Sequence, residues 1–292
     1  MNRIDEALQR ADATARTGPG QAKQQSQFAP AWSVTGSSAP DEPTTTLEDV
    51  ASTDFRNSAG LRLSSAWRER IANAPDGDPF LIEQFRRLAA TLHQEQRTRG
   101  LRSVMVTSAG PGDGKTLTAI NLAIVLAQSY RYKVLLIDAD LRRPSIPNVV
   151  EVGHGTGLSE ALRSKTEQKL ALIQLGSNLT LLPAGQPISN SVEALTSPRM
   201  RVILEEATAR FDWVVLDAPP VGLTSDAKLL TELVEGTLLV IRAGQTQYAA
   251  VRKGIEALGG EQAILGVVLN GTEKDPGEPY YYAYGAATVD QR

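Results

Sequence analysis

Cysteine is absent from this chain of 292 residues, and histidine occurs only as His93 and His154. That supply excludes a disulfide framework, a thiolate nucleophile and a Cys/His metal cage. It argues equally against a Ser-His-Asp triad, and it fits a reducing compartment. An excess of positive charge is also missing, with 30 Lys and Arg against 33 Asp and Glu. Nucleic acid calls for a concentrated basic patch, so none is expected as a partner. Long apolar runs are missing too, and nothing approaches the roughly 20 residues that span a bilayer. The first eight residues, M-N-R-I-D-E-A-L, carry acids and no apolar core, so they do not read as a secretory signal. The expectation is a soluble, cytoplasmic protein of one or two domains.

What is present is a phosphate cradle. Residues 108–116 read S-A-G-P-G-D-G-K-T, after the apolar run S-V-M-V-T at 103–107 and before a helical pattern at 117–128. Strand, Gly-rich turn, Lys-Thr and helix is how a chain presents backbone N–H groups to nucleotide phosphates. The expected nucleotide contacts are Gly110, Gly112, Asp113, Gly114, Lys115, Thr116 and Leu117. Lys115 would neutralise charge between β- and γ-phosphates, and the Thr116 hydroxyl would ligate Mg²⁺. The strict pattern places glycine where this chain has Ala109.

The rest of the chain divides by composition. Residues 1–16 place Ile4, Leu8 and Ala11 on one face, the pattern of a short helix. Residues 17–60 are rich in Gln, Ser, Thr, Pro, Ala and Gly, which cannot offset the entropy of ordering. With the transitional residues 61–78 they form an expected disordered or weakly ordered linker, 17–78. An amphipathic helix is expected over 80–94, from Phe80, Leu81, Phe85, Leu88 and Leu92. Strands are expected at 103–107, 133–137, 179–182, 213–216, 237–241 and 264–269. Helices are expected at 116–129, 157–164, 191–209, 224–232 and 247–258. Short apolar strands alternating with helices predict an α/β fold, a mostly parallel sheet flanked by helices. The domain is expected to span 79–270, with a flexible tail at 271–292.

Three aspartates fall just past apolar strands. Two lie in V-L-L-I-D-A-D-L-R-R-P, as Asp138 and Asp140, and the third is Asp217 in W-V-V-L-D-A-P-P. In an open α/β sheet that edge binds ligand. Mg²⁺ on a triphosphate needs hard oxygens, so Thr116 with Asp138 and Asp217 would suffice. A remaining Asp could accept the proton of an attacking hydroxyl, and Lys115, Asp138 and Asp140 are the catalytic candidates. Which aspartate is the base stays open.

In this order the P-loop, I-D-A-D-L-R-R-P and V-V-L-D-A-P-P resemble the Walker A, Walker A′ and Walker B motifs of bacterial tyrosine kinases of polysaccharide synthesis. The similarity runs over residues 79–285 and includes G-L-S-E-A-L at 157–162, L-P-A-G at 182–185, L-T-S-P-R-M at 195–200 and L-G-V-V-L-N at 265–270. It implies an ATP- and Mg²⁺-dependent tyrosine kinase. From the family's ATPase relatives it implies adenine contact by Asn270. The family's subunit-contact motif E-x-x-R-x-x-R is met by Glu83 and Arg86, with Ala89 in place of the second arginine. Arg87, one position after Arg86, points about 100° away from it on a helix. Self-association, as a ring or a smaller oligomer, is the implied assembly. Many members are fused to a membrane-spanning activator. This chain resembles the split arrangement, in which a membrane-embedded polysaccharide export protein activates the kinase at the inner membrane.

Tyrosine is the scarce residue that clusters. Four of the seven fall within five positions, as Tyr280, Tyr281, Tyr282 and Tyr284. The resemblance makes them autophosphorylation sites. Each phosphate would add about −1.5 to −2 charge beside Glu273, Asp275 and Glu278. Two other functions stay open. A ParA/MinD-like switch ATPase would carry lysine where this chain has Gly110. A nucleotide-binding regulatory scaffold would need no fast chemistry.

Overall fold

The computed structural model describes residues 61–72, 78–152, 155–164 and 170–272. The short helix expected at 1–16, the linker over 17–60 and the tyrosines at 280–284 lie outside the described residues.

A seven-stranded sheet carries the domain. Its strands are β1 (Ser103–Ser108), β2 (Val134–Asp138), β3 (Ile173–Gly176), β4 (Leu179–Leu182), β5 (Trp213–Asp217), β6 (Gly236–Arg242) and β7 (Ile264–Asn270). They stand in the order β3-β4-β2-β5-β1-β6-β7. All neighbours are parallel except β3, which runs antiparallel to β4 at one edge. The central strands β1, β2 and β5 are buried at every position, and mostly apolar, because both faces are covered. Alternation then splits their side chains between two cores. Met105, Ile137, Leu216 and Ile241 enter one, while Val104, Val106, Val215 and Val240 enter the other.

Helices follow from local signals. α1 (Pro79–Arg99) starts where Asp78 accepts a hydrogen bond from Phe80 N–H at 3.0 Å, with Pro79 in the first turn. It ends at Gly100 in the left-handed conformation, five residues beyond the expected 94. α2 (Lys115–Ser129) is buried continuously from Thr118 to Ala127. A helix apolar on nearly every side belongs in a core, and α2 lies between α1 and the sheet. Two short helices follow, α3 (Ile146–Val149) and α4 (Leu158–Arg163).

The helix expected over 191–209 is two helices, α5 (Ser191–Leu195) and α6 (Pro198–Arg210). Pro198 cannot continue the hydrogen-bond ladder, so it opens a new helix. α7 (Asp226–Thr231) and α8 (Tyr248–Ala257) complete the set. β3 was not expected. It is four residues long, half-polar, and held only by its hairpin to β4.

Residues 61–72, expected as the weakly ordered end of the linker, pack against the domain. Leu63, Ile71 and Ala72 are buried, and Leu63 pairs with Val150. Asn121 of α2 closes the contact. Its amide donates to Arg70 C=O at 2.9 Å and accepts from Ala72 N–H at 2.6 Å. Three spaced apolar residues and one buried amide suffice for this docking, and composition over a long window hides them.

Candidate active site

The Gly-rich turn connects β1 to α2, and its shape is set by few contacts. Gly110 N–H donates to Asp113 Oδ2 at 2.9 Å, and Thr246 Oγ1 donates to Asp113 Oδ1 at 2.7 Å. Asp113 is thereby a brace within the loop. Gly114 has φ +100°, and a Cβ there would overlap the Asn270 amide. Asn270 Nδ2 donates to Asp113 C=O at 2.8 Å. Arg242 donates to Gly112 C=O at 3.2 Å. The ends of β6 and β7 therefore grip the cradle from one side.

Ala109 is explained by its surroundings. Arg131 is the only non-glycine residue with positive φ among the described residues, so position 109 does not require glycine. Its methyl group is buried in the core. Leu117, expected at the nucleotide, turns its side chain toward the other core. What it can offer phosphate is its backbone N–H, in a first turn whose N–H groups have no helical partner.

On the other side of the cradle lies a dense charge cluster. Lys115 Nζ sits 3.1 Å from Asp140 Oδ2 and 3.4 Å from Asp217 Oδ1. Thr116 Oγ1 donates to Asp217 Oδ2 at 2.6 Å and lies 2.7 Å from Ser145 Oγ. Asp138 faces the backbone instead, accepting from Asp140 N–H and Ile146 N–H, each at 3.3 Å. Asp140 Oδ1 accepts from Arg143 N–H at 3.1 Å.

Three buried carboxylates share one ammonium, and the proton affinities of Asp138 and Asp217 show the excess. Burial and the Asp217 charge push Asp138 up to about 8. Burial raises Asp217 as well, against the pull of Lys115 and Thr116. Burial works to lower Lys115, but Asp217 and Asp140 outweigh it and hold the ammonium above its usual range. Such a set of hard oxygens fits a divalent cation that arrives with phosphates and water. Among the described residues no group of three or more His, Cys, Asp or Glu forms a ready metal cage. A cation that takes most of its ligands from phosphate and water needs none.

The sequence placed Lys115, Thr116, Asp138, Asp140 and Asp217 in one site, and the structure brings them together. Glu83 and Arg86 lie on the exposed face of α1, 3.9 Å apart, with Arg87 4.0 Å from Glu83. Sequence reasoning missed Ser145, Thr246 and the pair Arg142–Asp226. Arg142 stands in the I-D-A-D-L-R-R-P run but no pattern points to the others, and only the folded chain brings Thr246 to Asp113 or Asp226 to Arg142.

This geometry has close parallels. A family model of ParA, described as NUBPL iron-transfer P-loop NTPase, matches residues 101–274. Tyrosine-protein kinase YwqD of Bacillus subtilis is 37% identical over 205 residues, which cover 70% of this chain and 86% of YwqD. The chain belongs to the bacterial tyrosine kinases. The solved kinase domain of Escherichia coli tyrosine kinase ETK agrees, with 33% identity, a TM-score of 0.65, and coverage of 75% of this chain and 91% of that one. Succinoglycan biosynthesis transport protein ExoP of Rhizobium meliloti is 32% identical over 225 residues, 71% of this chain but 28% of ExoP. The domain is thus a nucleotide-binding tyrosine kinase of the P-loop NTPase class. Among the described residues of this kinase no helix is long and apolar enough to cross a membrane.

Proposed function

We propose that this kinase transfers the γ-phosphate of ATP to Tyr280, Tyr281, Tyr282 and Tyr284 of its own C-terminal segment. The carrying observation is Lys115, flanked by Asp140 and Asp217 directly beside the Gly-rich turn. Mg²⁺-bound ATP supplies the phosphoryl group and a good leaving group. Gly110, Gly112, Gly114 and the first turn of α2 hold the phosphates through backbone N–H groups. Lys115 exchanges its carboxylate partners for phosphate oxygens. Thr116 and Asp217 provide oxygens for the cation.

Asp138 is tied to the backbone around it, so its part is to shape the loop and add charge near the metal. Asp140 loses Lys115 when phosphate enters, which leaves Oδ2 open to take the phenol proton. The tyrosine oxygen then bonds to phosphorus as the bond to ADP breaks. Asn270 reaches the base side of the cradle while still bracing Asp113.

The surroundings suggest the biological role. ExoP and YwqD, by their names, join polysaccharide transport and tyrosine phosphorylation in one family. The kinase accordingly acts at the inner membrane through a membrane-embedded polysaccharide export partner. It self-associates through the exposed Glu83/Arg86 face of α1.

Mass spectrometry of the full chain with ATP, Mg²⁺ and the partner's cytoplasmic segment tests this. Phosphotyrosine should appear within 280–284 and vanish in Lys115→Met. ATP hydrolysis without any tail phosphate would sink the proposal and favour a switch ATPase, which the ParA match allows.

A further inference from the structure

The sheet order divides the site into two sides. β1 carries the cradle at the centre. On one side β6 and β7 bring Arg242 and Asn270 against the loop backbone. On the other, β5 and β2 bring Asp217, Asp138 and Asp140. Phosphoryl transfer needs the attacking and leaving oxygens roughly in line. With the nucleoside on the β6–β7 side, the acceptor must arrive from the β2–β4 side.

That approach is lined by arginine. Arg142 and Arg143 lie two and three positions after Asp140, and Arg143 is exposed. Arg142 is gripped by Asp226, with Nε 3.0 Å from Oδ2 and a second bond of 3.4 Å to Oδ1. Asp226 is fully buried and also accepts from Ser191 Oγ at 2.6 Å. A buried carboxylate that takes one edge of a guanidinium fixes the direction of the rest. The Arg142 side chain keeps 35% of its surface exposed. Next to it, Ile188 N–H donates to Leu141 C=O at 2.9 Å. Beyond that bond lies a groove of about 580 Å³, lined by Leu162, Arg163, Ile188 and Asn190 among others. It has room for the residues that flank an acceptor.

We infer that Arg142 and Arg143 select acceptor tyrosines that have carboxylates a few residues away, with Asp226 as the residue that positions Arg142. The occupant is the segment 273–285 of a second copy of this chain, in which Glu273, Asp275 and Glu278 precede the tyrosines. Opposite charges meet, and the arginines stand on the acceptor side. This inference rests on the tail being the acceptor.

The test uses full-length kinase whose own tail cannot compete, with its four tail tyrosines changed to Phe and Glu273, Asp275 and Glu278 neutralised. Fluorescence anisotropy with Mg²⁺ and a non-hydrolysable ATP analogue reads the binding of labelled peptides. The native 273–285 peptide should bind roughly tenfold tighter than one carrying Glu273→Gln, Asp275→Asn and Glu278→Gln. Arg143→Ser should narrow that gap about threefold, without disturbing any buried group. Arg142→Ala combined with Asp226→Asn removes the grip without leaving a buried charge unpaired, and should narrow the gap further.

Equal affinity for the two peptides overturns the inference, as does a gap that survives both variants or no binding of any peptide. An unrelated tyrosine peptide with two acids separates the two ideas. If it binds in an arginine-dependent way and the tail peptide does not, the tail assignment fails and the acid selection stands. If native and neutralised tail peptides bind alike while mass spectrometry of the wild-type chain with ATP still finds phosphotyrosine within 280–284, the selection fails alone.

Discussion

Thr116 Oγ1 donates to Asp217 Oδ2 across 2.6 Å, joining the first turn of α2 to the end of β5. Both groups are expected at the cation, so they are tied together before any cation arrives. Thr116→Val keeps the shape and removes the hydroxyl. It should destabilise the domain by about 1–3 kcal/mol, because Asp217 loses a buried donor. Nucleotide affinity should also lose most of its dependence on Mg²⁺. Melting curves and nucleotide titrations with and without Mg²⁺ check both outcomes. Unchanged Mg²⁺ dependence would exclude Thr116 as a ligand.

Asp138 gives a pH dependence of definite sign. Its folded pKa lies near 8, raised by burial and Asp217, against an unfolded value near 3.8. Between these values the folded state keeps a proton that the unfolded state sheds. The Asp138 contribution to stability in the nucleotide- and Mg²⁺-free protein should therefore be full below about pH 4 and fall as pH rises toward about 8, by up to about 1.4 kcal/mol per pH unit. Asp138→Asn should flatten this slope, and melts from pH 5 to 9 measure it. A slope unchanged in the variant would show that other groups cause it.

Gly114→Ala carries two penalties. The residue keeps a positive φ, and its new methyl group overlaps Asn270. A loss of about 1–2 kcal/mol is expected, with weaker nucleotide binding. Adding Asn270→Ala should recover part of the stability but not the binding. A double-mutant cycle on the two positions reads the coupling. Strictly additive effects would mean that the two residues do not meet.

Glu160 joins the segments at 157–162 and 182–186. Its carboxylate accepts from Gly157 N–H at 2.7 Å and Gln186 N–H at 2.9 Å. Burial works to raise its pKa, but these bonds outweigh it and hold the group below the ordinary glutamate range. Its contribution is present above the unfolded pKa and lost as pH falls through the lower folded value. Glu160→Gln should cost about 1–2 kcal/mol at neutral pH, and the difference from wild type should shrink below about pH 4. Denaturant unfolding at pH 7 and pH 3.5 tests this. Gly185→Ala, which would drive a methyl group into the same carboxylate at φ +81°, should lower stability as well.

Much of the site was legible in the sequence because its elements are local. A Gly-rich turn between strand and helix, and an Asp at the end of an apolar strand, are each written within ten residues. The helix break at Pro198 was missed in the expected helix 191–209, although proline cannot donate to the ladder and so carries a local signal for it. Residues 61–72 were misjudged for the opposite reason. Their docking depends on Asn121, some fifty positions away, and no local signal announces that pairing.

The sequence by itself determined the parallel α/β fold, the phosphate cradle and the acidic strand ends, because each follows from a short pattern with one physical meaning. Only the tertiary structure decided which aspartates touch Lys115 and which one faces the backbone. It alone aligned Arg142 through Asp226, and it alone set Asn270 against Gly114. These relations join strands that are neighbours in the sheet yet far apart along the chain. Their distances follow from the strand order and its crossovers, which no local pattern of residues encodes.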